Sequence, residues 1–343
     1  MSELVRAALA RVVAGGTLPR GEARAAMGSV MDGEATAAQL AGLLIALRSR
    51  GETVDELTGF AEAMRQRVLK VRAPAGAIDT CGTGGDGAAT FNISTAAALL
   101  AAAAGVVVAK HGNRAVTSRA GSADVLEALG IPVEHGPDDA ARALETHGFA
   151  FLFAPGYHPA MRHAGPVRRE LGVPTCFNLL GPLTNPAGVR RQVVGVADPA
   201  AAPKVARVLR ALGAERAFVV YGDGVDELPL DGSGVLYDVS PTGVRRRRVD
   251  AGRLGLHRAP RTQLSGGSAD ENAEIIRHVL SGSDRGPRRD VVLLNAGAAL
   301  LAAGQARTLA AGMGQAGRAI DSGAAAGLLE QLRTTNGRSE NVA

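Results

Sequence analysis

The sequence predicts an α/β fold: a large α/β domain with a mostly parallel central sheet, joined to a smaller all-helical domain. Three observations carry this expectation. Residues 2–70 show apolar periodicity of the helical kind only. After the linker Ala73-Pro74-Ala75-Gly76 the rhythm changes to alternating strand and helix segments, as expected for parallel strands joined by crossover helices. The 343 residues exceed one typical domain, so a large domain plus a small one is the prior.

Taken in order, the helical opening reads as Leu4–Val13, Arg24–Met31, Ala37–Leu47 and Val54–Leu69, broken at Gly15-Gly16, Asp32-Gly33 and Gly51. Strands are expected at Ala77–Asp79, Val106–Ala109, Phe149–Phe153, Arg191–Val196, Arg216–Val220, Gly234–Asp238 and Val244–Val249. Helices fall between them at Ser94–Ala104, Ser122–Leu129, Pro137–His147 and Pro199–Leu212. From Glu271 the pattern is helical again, with a frayed end expected over Asn336–Ala343.

Composition narrows the function classes. Hydrophobic residues at 46% and charged residues at 21% are those of a soluble globular protein, which excludes wholesale disorder, collagen and a polytopic membrane protein. The net charge of +5 is spread among interspersed acids. Aromatics are only 3%, so the dense run Arg245–Arg248 reads as a solvated hairpin, since single-strand nucleic-acid platforms interleave aromatics with charge. Of the 38 basic residues only Lys70, Lys110 and Lys204 are lysine, which draws attention to each. Cys81 and Cys176 make no disulfide framework and suit a reducing compartment. Arg6 and Arg11 interrupt the first apolar stretch, so it reads as an amphipathic helix and not a signal peptide, and the expected location is the cytoplasm.

The sharpest motif is Asp79-Thr80-Cys81-Gly82-Thr83-Gly84-Gly85-Asp86-Gly87, followed by Thr90-Phe91-Asn92-Ile93-Ser94-Thr95 and an Ala-rich helix. A strand, a glycine turn and a helix N-terminus together form a phosphate cradle: glycines allow close approach of backbone N–H groups, and the helix dipole favours an anion. The run also fits the dinucleotide G-x-G-x-x-G pattern. That reading fails because the second strand leads into Lys110-His111-Gly112-Asn113-Arg114, where an acidic ribose ligand belongs. No Gly-Lys-Ser/Thr follows, so the Walker pattern is absent. Lys110 is expected to meet a phosphate, with Asn113 and Arg114 as further donors, and Ser122 is expected to cap the next helix. Asp226-Glu227 after a glycine turn suits magnesium if a phosphate-rich ligand lies near, with the Ser94 hydroxyl completing an oxygen set. The basic stretch His158–Gly172, broken at Gly165-Pro166, offers a cation for an acidic substrate. Asn178–Pro186 reads as a hinge or interface turn. There is no His/Cys cluster at metal spacing and no Ser-His-Asp pattern.

These pieces, in this order and over nearly the whole chain, resemble the anthranilate phosphoribosyltransferase family; Ala26–Gly33, Glu271-Asn272-Ala273 and Leu294-Asn295-Ala296 extend the likeness. The resemblance implies transfer of the phosphoribosyl group of phosphoribosyl pyrophosphate (PRPP) to the amine of anthranilate, with two Mg2+ ions, in a homodimer that needs no nucleic acid or membrane. It implies a helical domain of residues 1–72 into which about 160–182 are inserted, with 73–159 and 183–343 forming the α/β domain. It places Gly82, Gly85, Asp86, Thr90, Asn92, Ser94, Thr95, Lys110, Ser118 and Ser122 at PRPP. Gly82, Asn113, His158, Arg168 and Gly181 fall at anthranilate, and Ser94, Asp226 and Glu227 at the metal; Lys110, Asn113 and Arg168 carry the catalytic assignments. Gly156, Thr117 and Arg119 depart from the family's more usual residues. Competing readings are a pyrimidine nucleoside phosphorylase of the same architecture, which would use nucleoside and phosphate, and a non-enzymatic nucleic-acid-binding relative.

Overall fold

The computed structural model describes residues 1–85, 87–115, 119–222 and 224–334. Asp86, Thr117 and Ser118, and the end Asn336–Ala343, lie outside the described residues. The chain opens with four helices, α1 (Glu3–Val13), α2 (Arg20–Met31), α3 (Ala37–Arg50) and α4 (Val54–Arg67). Two start with reciprocal capping boxes, Thr36 with Gln39 and Thr53 with Glu56, which satisfy amides the helix leaves open. Glu56, wholly buried, also accepts the Leu18 amide and pairs with Arg50.

The α/β part follows as β1 (Ile78–Gly82), α5 (Ile93–Ala103), β2 (Val108–Gly112), α6 (Ser122–Ala128), α7 (Pro137–His147), β3 (Phe149–Phe153), α8 (Ala154–Tyr157), α9 (Gly165–Leu171), α10 (Cys176–Leu180), β4 (Arg191–Gly195), α11 (Ala202–Ala211), β5 (Arg216–Tyr221), β6 (Gly234–Ser240) and β7 (Gly243–Val249). The chain then continues as α12 (Ala269–Leu280), α13 (Pro287–Ala303), α14 (Leu309–Asp321) and α15 (Ala324–Thr334). The seven strands form one sheet in the order β3-β2-β1-β4-β5-β6-β7, with the first five parallel and the last two antiparallel.

Alternate strand residues point to the two faces of the sheet, as the period of two requires, and there join three buried clusters. Ile78, Val108, Phe149, Phe151, Val193, Phe218 and Val220 face α5 and α12 to α15. On the other side, Val194, Ala217 and Val219 join α11 and the N-terminal helices, and Ala109, Ala150 and Leu152 join α7. Ala164, Val167, Cys176, Phe177 and Leu180, from α9, α10 and their approach, pack into the cluster built by α1 to α4.

All seven expected strands form; β3 keeps its expected bounds, β4 to β7 differ by one or two residues at one end, and β1 and β2 shift at both ends. β1 and β2 begin one or two residues later than expected and run on to Gly82 and Gly112. The turn-like residues Lys110, His111 and Gly112 pair with Phe151, Leu152 and Phe153, so the parallel ladder overrides their local preference. Gly165-Pro166 does not break a helix but starts α9, because proline is tolerated in a first turn. Ser122 is not the cap of α6. Gly121 caps it, its amide donating to Asp124, and Ser122 is the first helical residue. Arg245–Arg248 lie on the exposed edge strand β7, where charge discourages edge pairing. No described helix is long and apolar enough to cross a membrane.

Candidate active site

The chain runs outward from β1 to β2 and β3, then returns to the other side of β1 for β4 and β5. The reversal leaves a crevice beyond the carboxyl ends of β1 and β4, where ligands of open α/β sheets bind. Gly82 ends β1 and Gly195 ends β4, and the Thr83 amide donates to the Gly195 carbonyl at 2.9 Å. The glycine loop rises from this point. Gly84, Gly85 and Gly87 have φ of +65°, +73° and +62°, and Ala89 is held at +52°, a conformation that costs a side chain energy. The far end of the loop is pinned by the Gly266 amide on Ala89 O (2.9 Å) and the Phe91 amide on Leu264 O (3.1 Å).

Asp226 and Glu227 press onto the same crevice. A Cβ on Gly195 would overlap the Asp226 carbonyl oxygen, and one on Gly82 would overlap its carboxylate, so only glycine permits this approach. Asp226 Oδ2 accepts the Gly84 amide at 3.0 Å. Ser94, Asp226, Glu227, Thr80 and Asn295 line one small cavity. The N-terminus of α5 is adjacent: its cap Asn92 makes no side-chain bond to the first-turn amides, and the wholly buried Thr95 Oγ1 has no partner. First-turn amides and an orphaned hydroxyl together fit an anion. The acid turn gives two carboxylates and Ser94 a hydroxyl, the hard oxygen donors that magnesium takes together with ligand phosphates and waters. No cluster of three or more His, Cys, Asp or Glu at metal spacing exists among the described residues.

Several expected donors sit differently from the sequence reading. Lys110 lies within β2 rather than past its end, is 2% exposed, and donates from Nζ to the Thr80 carbonyl at 2.6 Å, directly below the glycine loop. Arg114 is committed elsewhere: it pairs with Glu127 and Asp124 and covers the Phe153 ring. The side chain of Asn92 donates to Ala120 O and accepts from Asn272, tying the loop's end to α12. Ser122 Oγ donates to the carbonyl of Asn113, whose own side chain is exposed. Thr90 bridges to Ser265.

On the helical side, His111 Nδ1 donates to the Gly181 carbonyl at 3.2 Å, and His158 Nε2 lies 3.2 Å from His111 Nε2. With Nδ1 of His111 bearing a proton toward a carbonyl, its Nε2 accepts from His158. Both rings are buried. Burial, then the charge of His158, pushes His111 down to about 3, and burial pushes His158 down to about 4. Asp79 is moved up to about 6 by burial, opposed by Lys110, the Asn185 amide and the His111 amide. These groups set a pH dependence of stability. Between the ordinary histidine value of 6.5 and about 4, the unfolded chain binds protons that the folded imidazoles refuse, so stability falls as pH falls. Asp79 acts oppositely between about 6 and 3.8, but it is one group against two. The melting temperature should therefore fall from pH 7 to pH 4.5, and fall less in His158→Gln; equal slopes would refute the buried neutral pair.

Arg168 stands on α9, half-buried, with its guanidinium 5.0 Å from the Phe177 ring centroid. Burial draws it below its ordinary value, yet it stays charged. Among the described residues it has no carboxylate partner, and no contact joins it to Asn113.

Sequence reading missed three supports. Asn185 donates to Asp79 Oδ2 and Ala109 O, both at 2.8 Å, holding the Asn178–Pro186 segment on the sheet. Asn295 clasps Leu228 through both its amide and carbonyl, at 3.0 Å each, and so holds the acid turn. Asn272 accepts the Gly267 amide. Asn272 and Asn295 stood in the runs Glu271-Asn272-Ala273 and Leu294-Asn295-Ala296 that extend the family likeness, and Asn185 in the turn Asn178–Pro186, but nothing in the sequence named their partners.

Residues 75–326 match the model of the glycosyl transferase family, a/b domain, and residues 6–68 match that of its helical bundle domain. The anthranilate phosphoribosyltransferase of Rubrobacter xylanophilus is 52% identical over 330 residues, covering 96% of each chain. The crystal structure of anthranilate phosphoribosyltransferase from Thermus thermophilus is similar with a TM-score of 0.90 at 46% identity, covering 95% of this chain and 98% of that one. The Saccharomyces cerevisiae enzyme in complex with PRPP and Mg is similar with a TM-score of 0.87 at 26% identity, covering 96% and 97%.

Proposed function

The chain belongs to the anthranilate phosphoribosyltransferase family of glycosyl transferases, and from that premise we propose how its residues divide the work. The reaction moves the phosphoribosyl group of PRPP to the amine of anthranilate, giving N-(5-phosphoribosyl)anthranilate and pyrophosphate, a step of tryptophan biosynthesis. The observation that carries the residue assignment is the convergence of Ser94, Asp226 and Glu227 on one cavity beneath the glycine loop, at the crevice between β1 and β4.

In this reading PRPP lies along the loop of Gly82 and Gly85, with Thr90 and Ser122 beside it; Asp86 and Ser118, outside the described residues, are assigned to it on the resemblance alone. Its phosphates meet the amides and hydroxyls of Ser94 and Thr95. Lys110, from below, adds positive charge to the floor of the site, and Asn92 keeps the loop and α12 in register. Magnesium, two ions in this proposal, held by Ser94, Asp226 and Glu227 together with phosphate oxygens, supplies charge for the departing pyrophosphate. Arg168 and Asn113 grip the carboxylate of anthranilate, and Gly181, Gly82 and His158 line its approach. Gly181 suits this role because a Cβ there would have no neighbour within 4 Å, leaving open space. The sugar passes through an oxocarbenium-like state, so holding the amine against C1 and excluding water do most of the work. His111 and His158, neutral at pH 7 and bonded to each other, shape the acceptor side without adding charge to it.

The segment of about 160–182 is read as part of the helical domain, supported by its packing against the first four helices. A homodimer is part of the proposal, with the exposed apolar residues Leu4, Val13, Ile45 and Val173 on α1, α3 and the link after α9 as its candidate contacts. The cytoplasm is supported by the two free thiols, Cys81 and Cys176. Pyrophosphate should appear when PRPP, magnesium and anthranilate are combined with the protein. Release of base from uridine or thymidine with inorganic phosphate would instead establish the nucleoside phosphorylase reading.

A further inference from the structure

Where α2 and α4 lie on the C-terminal end of α11, the side chains of Arg20, Arg24, Glu62, Arg65 and Lys70 surround a cavity of about 280 Å3 floored by Ala211 and Leu212. It is separate from the crevice between β1 and β4: none of its residues lines the cavity there. Four cations face a single carboxylate there, and that carboxylate is taken. Arg20 binds Glu62 through Nε at 3.1 Å and through Nη2, and also reaches the Ala211 carbonyl. Arg24 and Lys70 have no hydrogen-bond or ion-pair partner among the described residues. Arg65 is mostly buried, and its Nε donates to the Leu183 carbonyl at 2.6 Å. Desolvation lowers its affinity for a proton, with only Glu62 opposing. The group is thus left with a surplus of positive charge at a concave place.

We propose that this cavity is a second anion site that binds a small phosphate-type oxyanion through Arg24, Arg65 and Lys70. The lining favours a compact polyanion over a peptide: around the small apolar floor of Ala211 and Leu212 every other side chain is charged or, at Gln66, an amide, and the cations outnumber the one acid. Two guanidinium forks and an ammonium suit tetrahedral oxygens. The volume admits one or two phosphate groups. The site also has a route to the catalytic crevice. Leu183, held by Arg65, lies two residues beyond Gly181, whose carbonyl takes His111. An occupant that draws on Arg65 thereby acts on the segment that lines the acceptor side.

The test is calorimetric titration of the full-length protein, without acceptor, using inorganic phosphate, pyrophosphate and ribose 5-phosphate as separate probes. It reads binding without turnover, so it stands whatever the acceptor proves to be. The wild type should show two classes of site for pyrophosphate. Arg24→Gln with Lys70→Gln should lose one class, or weaken it about tenfold or more, while kcat and both KM values in phosphate-free buffer stay unchanged. Lys70→Gln alone, at an exposed position, should weaken it severalfold and guards against misfolding of the double variant. Inorganic phosphate competing at this class marks a site for free phosphate, and tighter binding of ribose 5-phosphate marks a site for a phosphorylated metabolite. A single class in the wild type, or superimposable isotherms for wild type and variants, would overturn the proposal.

Discussion

Replacing Asp226 by Asn and Glu227 by Gln together is expected to lower magnesium-dependent turnover about a thousandfold or more, with the fold retained. Both carboxylates line the cavity at the carboxyl ends of β1 and β4, and glycines stand at 82 and 195, where any side chain would push Asp226 away. In Asp226→Asn the side-chain carbonyl would still accept the Gly84 amide, so the turn itself should keep its place. What the pair loses is the negative charge that a hard cation needs. Without that cation the leaving pyrophosphate must depart with its charge little compensated, and losses of several kcal/mol are usual when such stabilisation is removed. Steady-state rates across a magnesium titration check the point, and near-normal turnover would remove these residues from the metal site. The clasp of Leu228 by Asn295 belongs to the same account, since it fixes the backbone next to the acids.

The second large effect is expected at Arg168. Arg168→Ala should raise the KM for anthranilate roughly 10- to 100-fold and leave that for PRPP nearly unchanged, because a hydrogen bond to a charged group contributes about 1.5–3 kcal/mol. Arg168 is suited to this role because the structure gives its charge a ring to rest on but no carboxylate to neutralise it. Loss of packing on Phe177 would lower stability without separating the two substrates. Arg168→Lys, which keeps charge but not the planar fork, should fall between wild type and Ala. Equal changes in both KM values would refute the assignment.

Much of this was legible in the sequence because its signals are local. Strand segments such as Phe149–Phe153 and, after Arg216, Ala217–Tyr221 are continuous apolar runs, as strands buried on both faces must be. The glycine loop announced itself through composition and through the helix that follows it. Other parts were hidden for identifiable reasons. Lys110 and His111 have the look of a turn, and only pairing with Phe151 and Leu152 keeps them in a strand. Arg114 promised a phosphate donor until folding brought Glu127 and Asp124 to it. Ser122 had the residue type of a cap, but the carboxylate of Asp124 satisfies the amides of Gly121 and Ala115 instead. The bonds of Asn185 to Asp79 and of Asn295 to Leu228 join residues 106 and 67 positions apart, which no window on the sequence can see.

The most direct measurement is the fluorescence of anthranilate mixed with the protein, PRPP and magnesium. The signal should decay as the amine is consumed, the decay should stop when the metal is chelated, and it should resume when magnesium is restored. A steady signal with all three present, from protein that is folded by circular dichroism, would contradict the assigned reaction.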